Sequence, residues 1–153
     1  MNKYTKLTVL GEITIFESDK IIRQISYGRC EDQDHQEILS PEIAKAFDQL
    51  DGYLAGERKE FDLNLFQEGS DFEVAVWKGL MNIKYGQIIT YKKLAEQIGY
   101  PKAFRAVGSA LKKNKLPIVV PCHRVIAKDL KKGGYAGGIE LKHALLGLEL
   151  KHS

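Results

Sequence analysis

The residue types best suited to chemistry lie together in the sequence PCHR at residues 121–124, directly after an apolar run at residues 117–120. Proline fixes its own φ and keeps the preceding residue extended, so we expect a sharp turn walled by hydrophobic side chains. A cysteine in apolar surroundings is inert, whereas one beside a cation or an imidazole can react as a thiolate. From this stretch alone, Cys122 is either a small core residue next to a turn-capping His123, or a nucleophile.

The composition is that of a globular protein of one domain or two small ones. The chain has 153 residues, of which 44% are hydrophobic and 28% charged, as in ordinary water-soluble domains. Its apolar runs are too short to span a bilayer, and no apolar segment follows the N-terminal residues as in a secretory signal. We therefore expect a cytoplasmic protein that makes no contact with a membrane.

Cysteine and histidine usage favours free thiols over a disulfide or a metal. The two cysteines are Cys30 and Cys122, and in a reducing compartment both would stay reduced. Cys30 and His35 could supply two metal ligands, but no second pair stands at the spacing of a structural zinc site. The sequence therefore predicts no metal.

The charge is distributed unevenly along the chain. Residues 1–89 carry 10 Lys and Arg against 16 Asp and Glu, whereas residues 90–132 carry 11 against 2. A basic segment in a protein with a net charge of only +3 is typical of a polyanion-binding face. A solvated basic surface without a partner is the alternative.

The N-terminal part, residues 1–66, is predicted to form a small acidic α/β domain with a short sheet. Strand-like segments separated by turns predict a β-meander over residues 4–27, followed by a loop over residues 28–36. Ser40 and Pro41 are typical of a helix N-cap and first position, and residues 61–65 alternate as a strand does. Residues 67–69 read as the linker to a second domain, residues 67–153.

The second domain is predicted to be mainly helical. Ser70 and Glu73 form the sequence signature of a capping box. We expect the buried side of that helix to contain Phe72, Val76, Trp77, Leu80 and Met81. The last helix is expected to turn Leu141, Ala144, Leu145 and Leu148 inward, with Glu149 beside that face.

Between these helices lies a helix-turn-helix pattern. Thr90 is a predicted N-cap, Gly99 ends the first helix, Pro101 occupies the first position of the second, and Asn114 ends that one in a left-handed conformation. The expected inner face is Ala103, Ala106, Val107, Ala110 and Leu111. The expected outer face is Phe104, Arg105, Gly108, Ser109, Lys112 and Lys113. Small residues flanked by lysines suit DNA phosphates, although Gly108 and Ser109 could instead pack against another helix of the same protein.

These motifs together resemble the O6-alkylguanine-DNA alkyltransferases, also called methylated-DNA–protein-cysteine methyltransferases. The resemblance covers residues 69–150 and adds to the Pro-Cys-His-Arg-Val sequence at 121–125 the following positions in the family's order: residues 91–95, 101–103 and 105–108, Asn114, Tyr135, residues 137–138 and Glu149. Lys115 and Phe104 depart from the family's commonest pattern, where a proline and a small residue are usual. Residues 1–66 share only the family's general layout.

The resemblance implies roles for the residues of the active site. Cys122 would take the alkyl group from O6 of guanine, with His123 acting through a water as its base and Glu149 orienting the imidazole. Tyr91 would donate its hydroxyl to the departing base, and Asn114 would brace the loop before the active-site turn.

The resemblance also implies how DNA is held. Arg105 would replace a nucleotide flipped out of the duplex, while the helix around it lies in the minor groove. The DNA-binding set would be Arg105, Phe104, Gly108, Ser109, Lys112, Lys113, Thr90 and Arg124, and the base pocket would contain Val125, Tyr135 and Gly137. The partner would be duplex DNA carrying O6-alkylguanine, with O4-methylthymine as a further substrate. The protein would act once, as a monomer, without cofactor or metal.

Three other functions fit parts of the sequence. An alkyltransferase-like damage sensor would lack the cysteine, which makes Cys122 an argument against it. A thiol hydrolase using Cys122, His123 and Glu149 would leave the helix-turn-helix unexplained. A regulatory DNA-binding module with a redox cysteine would leave the pattern from Tyr91 to Glu149 as coincidence.

Overall fold

The computed structural model describes residues 1–127 and 138–153, which divide into two compact units, Met1–Gln67 and Glu68–Ser153. No described helix is both long and apolar enough to cross a membrane. The expected mixture of a small sheet and helices is confirmed.

The first unit is a four-stranded sheet covered by one helix. Its strands are β1 (Asn2–Thr8), β2 (Gly11–Ser18), β3 (Ile21–Tyr27) and β4 (Gln36–Glu37), in the order β3-β2-β1-β4. The first three pair antiparallel, as the predicted meander requires, and β4 pairs parallel to β1. Helix α1 (Pro41–Leu54) buries Ile43, Phe47 and Leu50, and its predicted cap is confirmed because the Ser40 side chain accepts from the Ile43 N–H.

The strand predicted at residues 61–65 is wrong. Only an isolated bridge between Ile22 and Leu65 forms there. The side chain of Gln49 donates to the Asp62 carbonyl at 2.9 Å and accepts from the Asp62 N–H at 2.8 Å. This helix side chain satisfies both backbone groups of Asp62, while the Asn64 carbonyl and the Phe66 N–H bond to Ile22 of β3, so the segment pairs with the sheet at a single bridge.

Among its described residues, the second unit contains four α-helices and one pair of two-residue strands. They are α2 (Asp71–Met81), β5 (Ile89–Thr90), α3 (Tyr91–Gln97), α4 (Phe104–Lys112), β6 (Val125–Ile126) and α5 (Ile139–His152). The capping box of Ser70 and Glu73 is confirmed in both directions, but Met81 is 51% exposed and does not belong to the core. Strands β5 and β6 pair parallel, which ties the start of α3 to the segment after Cys122.

Close contacts fix α2 against the helix-turn-helix. The Trp77 indole N–H donates to the Ala110 carbonyl of α4 at 3.0 Å. On the other side, a Cβ on Gly79 would lie 2.7 Å from a methyl carbon of Ile98, so only glycine lets α2 and α3 approach this closely.

Helix α4 begins three residues later than the sequence suggested. Residues 100–103 form a turn in which the Ala103 N–H donates to the Tyr100 carbonyl, and Ala103 is the N-cap residue. The first-position role of Pro101 is therefore wrong. Gly99, with φ +87°, ends α3 and sends the chain into this turn rather than directly into a helix. On α4, Val107 and Ala110 are buried, whereas Ala106 is exposed, contrary to the predicted inner face.

Candidate active site

The turn that contains Cys122 is built from a fully buried apolar segment. Ile118 adopts a positive φ of 72°, Val120 N–H donates to the Leu116 carbonyl at 2.8 Å, and Cys122 N–H donates to the Val120 carbonyl at 2.8 Å. Cys122 then starts one turn of 3₁₀ helix, Cys122–Arg124, and is 7% exposed. The predicted sharp turn with hydrophobic walls is confirmed.

Asn114 holds this turn from the end of α4. Its side chain donates to the Val120 carbonyl at 2.9 Å and accepts from the Leu116 N–H at 3.0 Å. The predicted left-handed cap is wrong, since Lys113 is the C-cap in a right-handed conformation and Asn114 has no positive φ. Asn114 therefore acts through its amide, which fixes both ends of the loop before Cys122.

His123 and Glu149 form a buried pair. The His123 Nε2 lies 2.7 Å from the Glu149 Oε2, and both side chains are almost completely buried. Because the carboxylate accepts, Nε2 carries the proton in the neutral imidazole, and Nδ1 is then the basic nitrogen.

Arg124 belongs to the same cluster, and its predicted contact with DNA is wrong. Its Nε and Nη2 donate to the two oxygens of Glu149 at 2.8 and 3.0 Å, and its Nη1 donates to the Ile83 carbonyl at 2.7 Å. The guanidinium also lies 5.8 Å from the centre of the Tyr85 ring. An arginine with all three nitrogens committed inside the protein cannot bind a phosphate, so its function is to neutralise and orient Glu149.

Burial sets the protonation of the two reactive groups. Burial raises the pKa of the Cys122 thiol, although a hydrogen bond from Asn114 and the charge of Lys142 act in the other direction. Burial also lowers the pKa of His123 despite its bond to Glu149. At neutral pH, a protonated thiol therefore lies next in sequence to a neutral imidazole that can serve as its base.

Tyr91 lies close enough to Cys122 for their charges to interact. It is half-buried at the start of α3, where Thr90 caps the helix by accepting from the Lys93 N–H at 3.1 Å. Burial, together with the negative charge that Cys122 can carry, raises the pKa of the Tyr91 hydroxyl. The hydroxyl therefore remains a hydrogen-bond donor at neutral pH.

The outer face of α4 is open to solvent. Phe104 is 44% exposed, and Arg105, Ser109 and Lys112 are exposed. A Cβ on Gly108 would meet no atom of the described residues within 4 Å, so the alternative that Gly108 and Ser109 pack against another helix is wrong for the part of the chain that the structure describes. Lys113 is also exposed, and its Nζ lies 3.1 Å from Glu73.

The predicted base pocket is described only in part. Val125 is buried and its carbonyl accepts from the Lys142 Nζ at 2.7 Å. Tyr135 and Gly137 lie outside the described residues.

Three residues of the site were not predicted from the sequence: Lys142, Ile83 and Gly86. The Gly86 N–H donates to the Glu149 Oε1 at 3.1 Å. The buried residues of α5 are Lys142, Leu145 and Glu149, while Ala144 is exposed, so the inward face is rotated from the predicted one. The helical spacing could have identified Lys142, because Lys142 and Glu149 lie three residues before and four residues after Leu145, on the same face of the helix.

Comparisons with known proteins cover both units. The family model described as "6-O-methylguanine DNA methyltransferase, DNA binding domain" matches residues 71–151, and "6-O-methylguanine DNA methyltransferase, ribonuclease-like domain" matches residues 3–67. The constitutive methylated-DNA–protein-cysteine methyltransferase of Bacillus subtilis is 44% identical over 97% of this chain and 96% of its own.

Solved structures agree with the sequence relatives. The Mycobacterium tuberculosis OGT in complex with DNA has a TM-score of 0.91 and 38% identity, covering 100% of this chain and 95% of that one. The O6-methylguanine-DNA methyltransferase of Pyrococcus kodakaraensis has a TM-score of 0.60 and 27% identity, covering 96% and 98%. The chain therefore belongs to the family of methylated-DNA–protein-cysteine methyltransferases.

Proposed function

We propose that this protein repairs DNA by transferring the alkyl group from O6 of guanine, and also from O4 of thymine, to the sulfur of Cys122. The observation that carries the proposal is the buried cluster in which Cys122 adjoins His123, and His123 is held by Glu149 at 2.7 Å. The arrangement provides a nucleophile, a base and a group that orients the base.

The protonation states support one sequence of steps. Neutral His123 takes the thiol proton through a water, and the resulting thiolate attacks the carbon attached to O6 of guanine. The sulfur–carbon bond forms as the carbon–oxygen bond breaks, and the electron pair of that bond goes to the base. The departing guanine takes up one proton, which balances the proton lost by the thiol. The Tyr91 hydroxyl donates a hydrogen bond to the guanine as it leaves.

The product explains why each molecule would act once. A thioether is not displaced under mild conditions, and Cys122 is not regenerated. The proposed reaction needs no cofactor or metal, because the leaving group departs without a Lewis acid and nothing is oxidised or reduced.

The exposed face of α4 supports binding in the minor groove. A methyl group inside the base stack is out of reach of a buried thiol, so the nucleotide must leave the duplex at a cost of about a few kcal/mol. We assign Arg105 to the gap that the flipped nucleotide leaves in the duplex. The residues assigned to contacts with the surrounding DNA backbone are Phe104, Gly108, Ser109, Lys112, Lys113 and Thr90. The flipped base would lie against Val125, Tyr135 and Gly137.

The two parts of the chain would have separate tasks. Residues 67–153 would bind DNA and perform the chemistry, and residues 1–66 would support them. We also propose that the protein acts as a monomer, in the cytoplasm where its DNA substrate is found.

The test is the mass of the intact protein after incubation with duplex DNA that contains one O6-methylguanine. We expect a gain of one methyl group that saturates at one per protein and maps to the peptide containing Cys122. Cys122→Ser should gain nothing, whereas the matched control Cys30→Ser should gain the methyl normally. Continued turnover would favour a hydrolase, tight binding without a mass gain would favour a damage sensor, and either result overturns the proposal.

A further inference from the structure

Among the described residues of the outer face of α4, Lys113 is the only basic one with an anionic partner. Its Nζ lies 3.1 Å from the Glu73 Oε2, although the lysine side chain is 67% exposed. Arg105 and Lys112, on the same face, form no ion pair with any described residue. A DNA phosphate that approaches α4 therefore meets two unpaired cations and one that is already paired.

Glu73 is fixed in place by its role at the start of α2. Its Oε1 accepts from the Ser70 N–H at 2.9 Å, and its own N–H donates to the Ser70 Oγ at 3.1 Å. The bond from the Ser70 N–H, together with Lys113, holds the pKa of Glu73 below its ordinary value, so the carboxylate is ionised at neutral pH. One oxygen of this carboxylate closes the helix cap while the other binds Lys113.

Two further contacts set the position of this cap against α4. A Cβ on Gly69 would lie 2.5 Å from the Trp77 ring, so only glycine lets the chain before the cap lie this close to the ring. The Trp77 indole N–H donates to the carbonyl of Ala110, three residues before Lys113. The negative charge of Glu73 is therefore held beside the C-terminal end of α4.

We propose that Glu73 competes with DNA phosphates for Lys113 and thereby lowers the affinity of the protein for duplex DNA, damaged or not. The inference rests on the proposed function in taking the outer face of α4 as the DNA-binding face. On a duplex, the Lys113 ammonium must exchange the carboxylate for a phosphate, beside a charge that repels that phosphate. An unpaired lysine releases about one counterion when it binds a phosphate, whereas a lysine that is already neutralised releases few.

The first experiment replaces Glu73 by glutamine, which keeps the side-chain acceptor of the capping box and removes the charge. Binding to an undamaged, fluorescein-labelled duplex is measured by anisotropy over a series of salt concentrations. Glu73→Gln should bind about two- to fivefold tighter at low salt, as expected for the loss of one exposed ion pair. The slope of log K against log salt concentration should steepen by about 0.9, because Lys113 then contributes a counterion.

The matched control is Asp71→Asn, which removes an exposed carboxylate from the same turn of α2. It changes the net charge by the same amount and should leave the salt slope unchanged. If Asp71→Asn steepens the slope as much as Glu73→Gln does, the effect belongs to the overall charge and the proposal is overturned.

The second experiment leaves Glu73 in place and compares two adjacent lysines. Lys112→Gln should make the salt slope shallower by about 0.9, whereas Lys113→Gln should change it little. In the Glu73→Gln background, Lys113→Gln should remove the steepening that Glu73→Gln produced. The four proteins with and without these two changes form a double-mutant cycle that isolates the coupling between Glu73 and Lys113.

Three results overturn the proposal: an unchanged slope in Glu73→Gln, weaker binding by Glu73→Gln, and equal loss of slope in Lys112→Gln and Lys113→Gln. Weaker binding would mean that the carboxylate orients Lys113 towards the DNA. Methyl transfer to Cys122 is measured separately on the unmodified protein. If no methyl is taken up, the proposed function fails, while the salt slopes still decide the role of Glu73.

Discussion

In the unit Met1–Gln67 the buried polar side chains are spread over the sheet and helix, whereas in the unit Glu68–Ser153 they gather around Cys122. In the first unit, Lys3 binds the Cys30 carbonyl, Thr5 and Thr14 share a hydrogen bond, and Gln49 binds the backbone of Asp62. These contacts close strands and loops and satisfy the polar groups that make them.

The second unit concentrates its buried polar side chains in one place. Among the described residues of this unit, they are Asn114, His123, Arg124, Lys142 and Glu149. All of them bind either the backbone of the Cys122 turn or one another. Buried ion pairs rarely stabilise a fold more than well-packed hydrophobic residues of the same volume do. An apolar core of this size would therefore cost less free energy. Together with the proposed function, the difference leads us to expect that polar burial serves folding in the first unit and chemistry in the second.

The largest effect is expected from Glu149→Gln, which removes the charge that Arg124 and His123 share. Breaking a buried ion pair leaves an uncompensated guanidinium, at about 3–5 kcal/mol of the free energy of unfolding. Methyl transfer should slow by about 100-fold or more, as the base loses its orienting group. Urea unfolding and single-turnover repair measure the two losses, and Glu140→Gln, exposed on the same helix, is the control. An unchanged repair rate would mean that the cluster is structural, like the polar groups of the first unit.

The exposed Arg105 should behave differently from the buried cluster. Arg105→Ala should slow repair in duplex DNA by about 10- to 100-fold, because the flipped state loses about 1.4–2.8 kcal/mol of stabilisation. Reaction with free O6-benzylguanine should change by less than about twofold, since no base stack has to open. Parallel rate measurements on the two substrates decide this, with Lys102→Ala as the control, and equal losses would contradict the assigned role.

Gln49→Leu tests the first unit. The backbone N–H and carbonyl of Asp62 would lose their partner, so we expect a loss of about 1–3 kcal/mol in the free energy of unfolding. The fraction of folded protein should still take up one methyl group per molecule at the normal rate. A slower transfer in fully folded Gln49→Leu would mean that the two units do not divide folding and chemistry as described.

The smallest effect concerns pH. Burial holds the pKa of His123 below its ordinary value of 6.5. Between the folded pKa and pH 6.5, His123 is therefore protonated in the unfolded chain and neutral in the folded protein. The stability that this contributes is complete above pH 6.5 and is lost as the pH falls through the folded pKa, by at most about 1.4 kcal/mol per pH unit. Unfolding midpoints measured from pH 7.5 to 5 should decline less in His123→Gln than in the exposed control His143→Gln. Equal slopes would show that His123 is not held neutral.

The elements that sequence predicted well are those determined by neighbouring residues. The caps at Ser40, Ser70 and Thr90 form as expected, since each side chain bonds to an N–H three positions along. The start of α4 was missed because Pro101 is equally compatible with a turn.

Long-range contacts explain the other errors. The strand expected at residues 61–65 is reduced to a bridge with Ile22, with a helix side chain bonded to the backbone of Asp62, and the position of Arg124 depends on where α5 places Glu149. Neither contact can be predicted from the spacing of residues near it in the sequence. The reactive pair His123 and Glu149 could be named only through a family resemblance, because 26 positions separate them.

Trp77 provides an intrinsic fluorescence probe of the position of α4. It is the single tryptophan of the chain, it is 6% exposed, and its indole N–H is bonded to the carbonyl of Ala110 on α4. Indole emission responds to the loss or strengthening of such a bond and to changes in local polarity. If α4 binds the duplex as proposed, any shift of this helix should therefore change the intrinsic fluorescence, and DNA binding could be followed without a label.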